Sequence, residues 1–300
     1  MRVPASSANL GPGFDALGLA LGLYDEVEVC VAADGVGVEV TGEGAADVPR
    51  DERHLVVRAA RRAFDVFGGA PPGLRLRCRN AIPHARGLGS SAAAAVAGAV
   101  AAAALAGRDP VADRTAVLQV AAGMEGHADN AAASLLGGFV VAWADVPIEP
   151  LPVGGHEPTR FHAVGLEAHP GIAPVALVAG VESSTAHTRA LLPERVPLAD
   201  AAFTGGRTAL AVLAFTRTPE LLMAATEDRL HQGYRRPAYP RSAALVDALR
   251  AAGVPAVVSG AGPTVLALTT DGALPDDVDL DGFTVLPLAV DPDGATVDVG

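Results

Sequence analysis

Hydrophobic positions along the chain alternate between two periods. Val27, Val29 and Val31 interleave with Glu26, Glu28 and Cys30, and Val36, Val38 and Val40 repeat the pattern beyond the Asp34-Gly35 turn. Such a period of two predicts strands with one wet face. Residues 51–67 switch to helical spacing, with Leu55, Val56, Ala59, Ala60, Ala63, Phe64 and Phe67 on one stripe and Gly68-Gly69 as the stop. Leu74, Leu76 and Cys78 alternating with Arg75, Arg77 and Arg79 predict another strand. An alanine-rich helix follows over 92–106, then a helix over 113–122, a short one over 131–136 and a strand over 139–143. The second half predicts strands at 161–166, 175–178, 256–259, 265–269 and 284–290. Helices are predicted at 184–192, 198–215, 219–230 and 242–252.

Prolines and glycines crowd residues 146–158, which puts a domain boundary there and divides the chain into 1–150 and 151–300. Strands and helices alternate irregularly in both halves, so two α+β domains are expected rather than a doubly wound sheet. The 92–106 stretch falls short of the ~20 strongly apolar residues of a bilayer span and reads as a buried helix. The Met-Arg-Val-Pro opening carries no apolar signal core, and a cytoplasmic protein is expected.

Composition narrows the chemistry. Of 300 residues, 22 are Lys or Arg against 34 Asp or Glu, a formal charge of −12. No basic face for nucleic acid is expected. All the basic side chains other than histidine are arginines, because the chain contains no lysine. Schiff-base chemistry and a Walker lysine are therefore impossible. Two cysteines, Cys30 and Cys78, make neither a disulfide framework nor a zinc site.

Three glycine-rich segments hold the candidate chemistry. The central one runs Pro83, His84, Ala85, Arg86, Gly87, Leu88, Gly89, Ser90, Ser91, Ala92 and Ala93, between a strand and the alanine helix. Its glycines let successive amides turn toward one concavity, and Ser90 or Ser91 is expected to cap a helix whose N-terminus already favours an anion. An ordinary capped turn is the plain alternative. The dinucleotide fingerprint is a rival, since Gly87, Gly89 and Ala92 match its relaxed form with Asp109 downstream. It needs the strand to run directly into the first glycine, and residues 80–86 intervene. The second segment, from Pro4 to Asp15, is expected to form a tight irregular loop displaying Ser6, Ser7, Asn9 and Asp15. The third is Ser259-Gly-Ala-Gly-Pro-Thr264, a turn between two strands.

Taken together, these segments resemble the signature of the GHMP small-molecule kinases. Ser-Ala-Asn-Leu-Gly-Pro-Gly-Phe-Asp15, Glu125-Gly-His-Ala-Asp-Asn130 and Asp228-Arg-Leu-His-Gln232 are most similar to the branch acting on homoserine. The resemblance implies an N-terminal ATP-binding domain of the ribosomal-protein-S5-domain-2-like type and a ferredoxin-like C-terminal domain. It implies that residues 83–93 wrap the phosphates of ATP and that Ser91 and Glu125 hold Mg²⁺, a hydroxyl and a carboxylate suited to a magnesium that keeps waters and phosphate oxygens. Homoserine is a zwitterion with a terminal hydroxyl. Asn9, Asp15 and Asp129 are expected at its ammonium, Arg189 and Arg235 at its carboxylate, Asn130 at the hydroxyl or γ-phosphate, and His127 and Thr185 in the pocket wall. Asp129, Asn130 and Arg189 form the expected catalytic set. Asp129 is expected to position substrate rather than act as a strong base. Family members often carry asparagine where Thr204 stands. A homodimer is common in the family. Two other readings stay open: a kinase for another small alcohol, and a non-catalytic metabolite sensor.

Overall fold

In the computed structural model, residues 1–145 and 159–299 are described here, so the proline-rich stretch and the 150/151 division lie outside the described residues. Two sheets organise the chain. The first contains β1 (Arg2–Asn9), β2 (Gly13–Ala32), β3 (Gly35–Gly42), β4 (Gly73–Asn80), β5 (Phe139–Asp145) and β6 (Arg160–Leu166). Its order is β3-β4-β2-β5-β6 with β1 added against β2, and only β3 and β4 run parallel. The inner face presents Val27, Val38, Val40, Leu74, Leu76 and Cys78, all buried. The outer face pairs Arg77 with Glu39 and Glu28, and Arg79 with Glu26, at 3.2–3.7 Å. Such exposed pairs keep that face wet and contribute little stability.

Four helices cover the inner face: α1 (Leu55–Phe67), α2 (Ser90–Leu105), α3 (Arg114–Glu125) and α4 (Asp129–Leu136). α1 starts at Leu55 rather than near 51, because residues 51–54 form a turn in which the Asp51 carboxylate accepts the Arg53 amide. Alanine gives α2 its use: eleven of its sixteen residues are buried, and a Cβ on Gly98 would collide with the Val56 carbonyl of α1. Small side chains thus bring α1 and α2 into near backbone contact.

The second sheet contains β7 (Ala173–Ala179), β8 (Ala256–Val258), β9 (Val265–Thr269) and β10 (Phe283–Pro287), in the order β10-β7-β9-β8 and wholly antiparallel. In chain order that is fourth-first-third-second, the ferredoxin-like arrangement, although no helix forms between β9 and β10. Its helices are α5 (Thr185–Ala190), α6 (Leu198–Thr216), α7 (Leu222–Ala225), α8 (Gln232–Arg235) and α9 (Pro240–Ala251). The helix expected over 219–230 breaks into a 3-10 turn, Pro219–Leu221, the single turn α7 and an irregular segment. The Asp228 carboxylate causes the break by accepting amides from Leu230, His231 and Gln232 at 2.7–3.0 Å, which starts α8 afresh. α6 buries Ala211, Ala214 and Phe215, and Phe215 stacks on Phe139 of β5 with ring centroids 5.0 Å apart.

The two sheets do not divide the chain at its midpoint. β6 extends the first sheet, and the last residues return to it, with Val290 bridging Leu21 and Thr296 bridging Arg2. Buried Asp291 anchors this return by accepting from Tyr24 Oη and the Gly294 amide, each at 2.7 Å.

Candidate active site

The N-terminal segment departs from the expected loop. Residues 2–9 are strand β1, with Ser6 and Ser7 wholly buried, and only the turn after it is irregular. Positive φ at Asn9, Leu10, Gly11 and Asp15 folds that turn back. Both ends of the Asn9 carboxamide hold it: Oδ1 accepts the Asp15 amide at 3.0 Å, and Nδ2 donates to the Gly260 carbonyl at 2.9 Å. These two bonds use Asn9 to aim Asp15 and leave one N–H and one acceptor lone pair of its carboxamide uncommitted.

The central loop is gripped from the other half of the chain. The Ser259 hydroxyl donates to the Gly87 carbonyl at 2.6 Å, the Thr264 amide to the Arg86 carbonyl at 3.2 Å, and the Ser183 amide to the Ala85 carbonyl at 2.9 Å. Gly87 has φ +79°, and a Cβ there would collide with the Ser259 carbonyl, so only glycine fits. The helix cap also differs from expectation. Gly89, left-handed at φ 71°, is the N-cap of α2, and neither serine side chain caps the helix. Ser91 instead donates to Glu125 Oε2 at 2.8 Å. That bond joins the two expected metal ligands at the C-terminal end of α3. Among the described residues no cluster of three or more metal-binding side chains exists. A hydroxyl and one carboxylate beside an anion-binding helix end suit a hard cation that takes its other ligands from phosphate and water.

Between these segments lies a cleft of about 290 Å³. Its walls include Asn9, Asp15, Ala85, Arg86, Gly87, Gly89, Ser90, Ser91, Glu125, His127, Asp129, Asn130, Thr185, Arg189 and Arg235. Leu88, Ala92 and Ala93 are buried in the core, Pro83 is buried outside the cleft, and His84 and Ala93 line a neighbouring cavity. Arg189 forks onto Asp15 with bonds of 2.7 and 2.9 Å, and this partner holds its pKa above the ordinary arginine value. Arg235 is unlike a surface arginine: it is 2 % exposed. Among the described residues no carboxylate lies within 4 Å of it, Nε has no partner, and Nη1 makes only 3.4 Å contacts to the Gly260 carbonyl and His231 Nδ1. Burial and the like charge of Arg189 push its pKa down. Both guanidinium carbons stand 5.2 Å from the Phe14 ring centroid. Buried His231, kept neutral by desolvation, donates from Nε2 to the Gly11 carbonyl at 2.6 Å and leaves Nδ1 facing Arg235. On the opposite wall His127 Nδ1 lies 2.9 Å from Asp129 Oδ1, which also accepts the Asn130 amide at 2.8 Å. The Asp129 hydrogen bond raises the His127 pKa. Thr204 is buried outside the cleft.

Comparison with known proteins matches residues 54–138 to the GHMP kinases N terminal domain and residues 210–278 to the GHMP kinases C terminal family. Homoserine kinase of Streptomyces avermitilis is 53% identical, covering 99% of this chain and 94% of its own. Homoserine kinase of Rhodococcus erythropolis is 54% identical with the same coverage of both chains. The chain belongs to the GHMP kinase family, among the homoserine kinases. A solved homoserine kinase from Cytophaga hutchinsonii superposes on this GHMP kinase with TM-score 0.77 at 27% identity, covering 98% of this chain and 95% of that one. A putative homoserine kinase from Listeria monocytogenes gives TM-score 0.73 at 29% identity, over 100% and 98%. Mevalonate kinase of L. major, 15% identical with TM-score 0.64 over 98% and 96%, shares the fold.

The third glycine-rich segment, read from sequence only as a turn between two strands, lines the cleft of this kinase with Gly260, Ala261 and Gly262. Ser183 and Ser184 border the cleft just ahead of α5, and Ser184 caps that helix by accepting the His187 amide. A second cavity of about 240 Å³ shares Ser90 and Ser91 with the first. It is walled by Val27, Val48, Leu55, His54 and His84, and the buried His54 Nδ1 has no partner. No local pattern marks His54, which stands in a turn ahead of α1.

Proposed function

We propose that this cleft holds the triphosphate of ATP beside L-homoserine and transfers the γ-phosphoryl group to the side-chain hydroxyl, yielding O-phospho-L-homoserine on the route to threonine. One observation carries the reading: besides Glu125 and Arg86 at the loop and metal end, the carboxylates Asp15 and Asp129 and the guanidiniums Arg189 and Arg235 line one small cleft beside the glycine-rich loop. A zwitterionic amino acid needs both signs of charge, whereas a hydroxy acid such as mevalonate needs one. Asp15 and Asp129 take the ammonium, and Arg189 and Arg235 take the carboxylate through their planar forks. Arg189 and Asp15 pair with each other in the cleft, which supports a ligand carrying both charges that would exchange with this ion pair. Asn130 faces the transferring group, and His127 with Thr185 closes the wall.

The loop 83–93 and the α2 N-terminus supply amides to the phosphates. Ser91 and Glu125 would hold Mg²⁺, which when bound neutralises charge on the phosphate oxygens. The second cavity, apolar and adjoining Ser90 and Ser91, suits the adenine, with His54 Nδ1 available to one of its polar edges.

Phosphoryl transfer through a loose transition state is served by alignment and charge neutralisation more than by early deprotonation. Without lysine, no side-chain ammonium can stand beside the aspartate to lower the pKa of the attacking hydroxyl. Asp129 orients His127 and the Asn130 amide, and its second oxygen is available to accept the hydroxyl proton late. Cys30 and Cys78 are free thiols, and burial pushes the Cys78 thiol up to about 11, so it stays protonated and takes no part in the chemistry.

Coupled ADP release measured with homoserine, threonine, serine and mevalonate, with and without Mg²⁺, tests the reading. Turnover with homoserine that vanishes on chelation is the expected result. Preference for mevalonate would move the chain to another alcohol, and silence on all four would make it a sensor.

A further inference from the structure

Two buried hydroxyls play no part in the reading above. Ser6 on β1 and Ser134 on α4 are both fully shielded from solvent, and no local caps or turns use them. Ser134 Oγ donates to Ser6 Oγ at 3.2 Å, and Ser6 Oγ donates to Asn130 Oδ1 at 3.0 Å. The Asn130 carbonyl oxygen can only accept, so Ser6 spends its one proton there and the Ser134 hydroxyl must be the donor to Ser6. Asn130 Nδ2 is then left without a protein partner among the described residues, on a side chain that lines the cleft. The backbone of Ser6 reaches the phosphate loop as well, its amide donating to the Leu88 carbonyl at 3.1 Å. A Cβ on Gly89 would collide with Ser6 Oγ and come within 3.0 Å of Asn130 Oδ1. The loop, β1 and α4 therefore meet at this hydroxyl.

We infer that Ser6 is a positioning residue for phosphoryl transfer: relayed from Ser134, its hydroxyl locks the Asn130 carboxamide so that the NH₂ group, not the oxygen, faces the transferring phosphoryl. The inference rests on the proposed role of Asn130. A terminal carboxamide torsion has two broad wells. In one well the cleft meets two N–H donors, and in the other a carbonyl oxygen that repels phosphate oxygens. Donating to Oδ1 selects the first well. The lock acts where negative charge must be met, so its loss falls on the chemical step and not on substrate capture.

A double-mutant cycle tests it, with Ser6→Ala, Asn130→Ala and the double variant in the full chain. Ser6→Ala is expected to lower kcat about tenfold, the worth of one neutral hydrogen bond converted to rate, with both KM values within about twofold. In the Asn130→Ala background the same change is expected to lower kcat no further. Ser6→Thr keeps the hydroxyl and is expected to restore rate. Ser134→Ala, which removes only the first member of the relay, carries the same cycle with a smaller loss if Ser6→Ala fails to fold. In parallel, the Asn130 side-chain ¹H–¹⁵N cross-peaks, identified by their loss in Asn130→Ala, are expected to shift in Ser6→Ala and stay in place in Ser6→Thr. Equal losses of kcat in both backgrounds, or a rise in homoserine KM at constant kcat, would overturn the inference. Unmoved Asn130 cross-peaks would overturn it even in a protein inactive on homoserine, an inactivity that by itself counts against the substrate reading alone.

Discussion

Arg235 is the most demanding residue in the fold, and replacing it by methionine separates stability from function. The residue is 2 % exposed, and its guanidinium has no carboxylate within 4 Å among the described residues and keeps two long contacts of 3.4 Å. An unpaired buried charge costs several kcal/mol in desolvation. Methionine has similar reach, no charge and enough flexibility to fill the space. Its introduction forfeits the contact to His231 Nδ1, about 1 kcal/mol, while the Gly260 carbonyl keeps the Asn9 donor at 2.9 Å. The net expectation is a ligand-free protein about 1–3 kcal/mol more stable, with Tm higher by about 2–4 °C for each kcal/mol. Catalysis moves the other way. A charge-assisted bond to the substrate carboxylate is worth about 1.5–3 kcal/mol, so homoserine KM rises about 10- to 100-fold while ATP KM stays within about twofold. Thermal denaturation without ligand and steady-state kinetics on the same preparation check both halves. A Tm that falls by several degrees with homoserine KM unchanged would show that Arg235 holds the fold rather than awaiting an anion, and the charge argument would fail.

Three further outcomes follow from the geometry. Asp129→Asn keeps an oxygen able to accept the Asn130 amide, and kcat is expected to fall by less than about 10²; a loss beyond ~10⁴ would make Asp129 a strong base. His127 has a pKa raised by Asp129, so the stability from this pair is full below the unfolded histidine value and fades as pH climbs through the folded one. The Tm gap between the parent and His127→Gln should therefore shrink from pH 5.5 to 9, as ~6.5 is the unperturbed pKa, and a constant gap would contradict the pairing. Gly87→Ala places a methyl against the Ser259 carbonyl at φ +79°, and raised ATP KM with a lower Tm is expected; parent-like kinetics would mean that the loop does not need its clamp.

Legibility in the sequence tracked locality. Strand alternation at 27–31 and 74–78, the stripe of α1 and the alanine helix α2 were readable because side-chain period is a property of neighbours in the chain. β1 was not readable as a strand: Ser6, Ser7 and Asn9 look like turn residues until their partners, 124–252 positions away, satisfy them in the interior. For the same reason Ser90 and Ser91 looked like caps, whereas Ser91 reaches Glu125 and a left-handed glycine starts the helix.

The amino-acid order alone determined that no lysine could enter the mechanism, that glycine-rich turns stand at 87–89 and 260–262, and which acids and arginines were available. Tertiary structure decided which of them meet. It brought Asp15 against Arg189 across 174 residues, buried Arg235 at the cleft, used the Asn9 amide to hold the Asp15 turn, and returned the segment after the last strand to the first sheet through Val290 and Thr296. The physical reason is that periodicity and turn chemistry act within a few residues, while desolvation and hydrogen-bond partnership between distant segments exist only once the whole chain has packed.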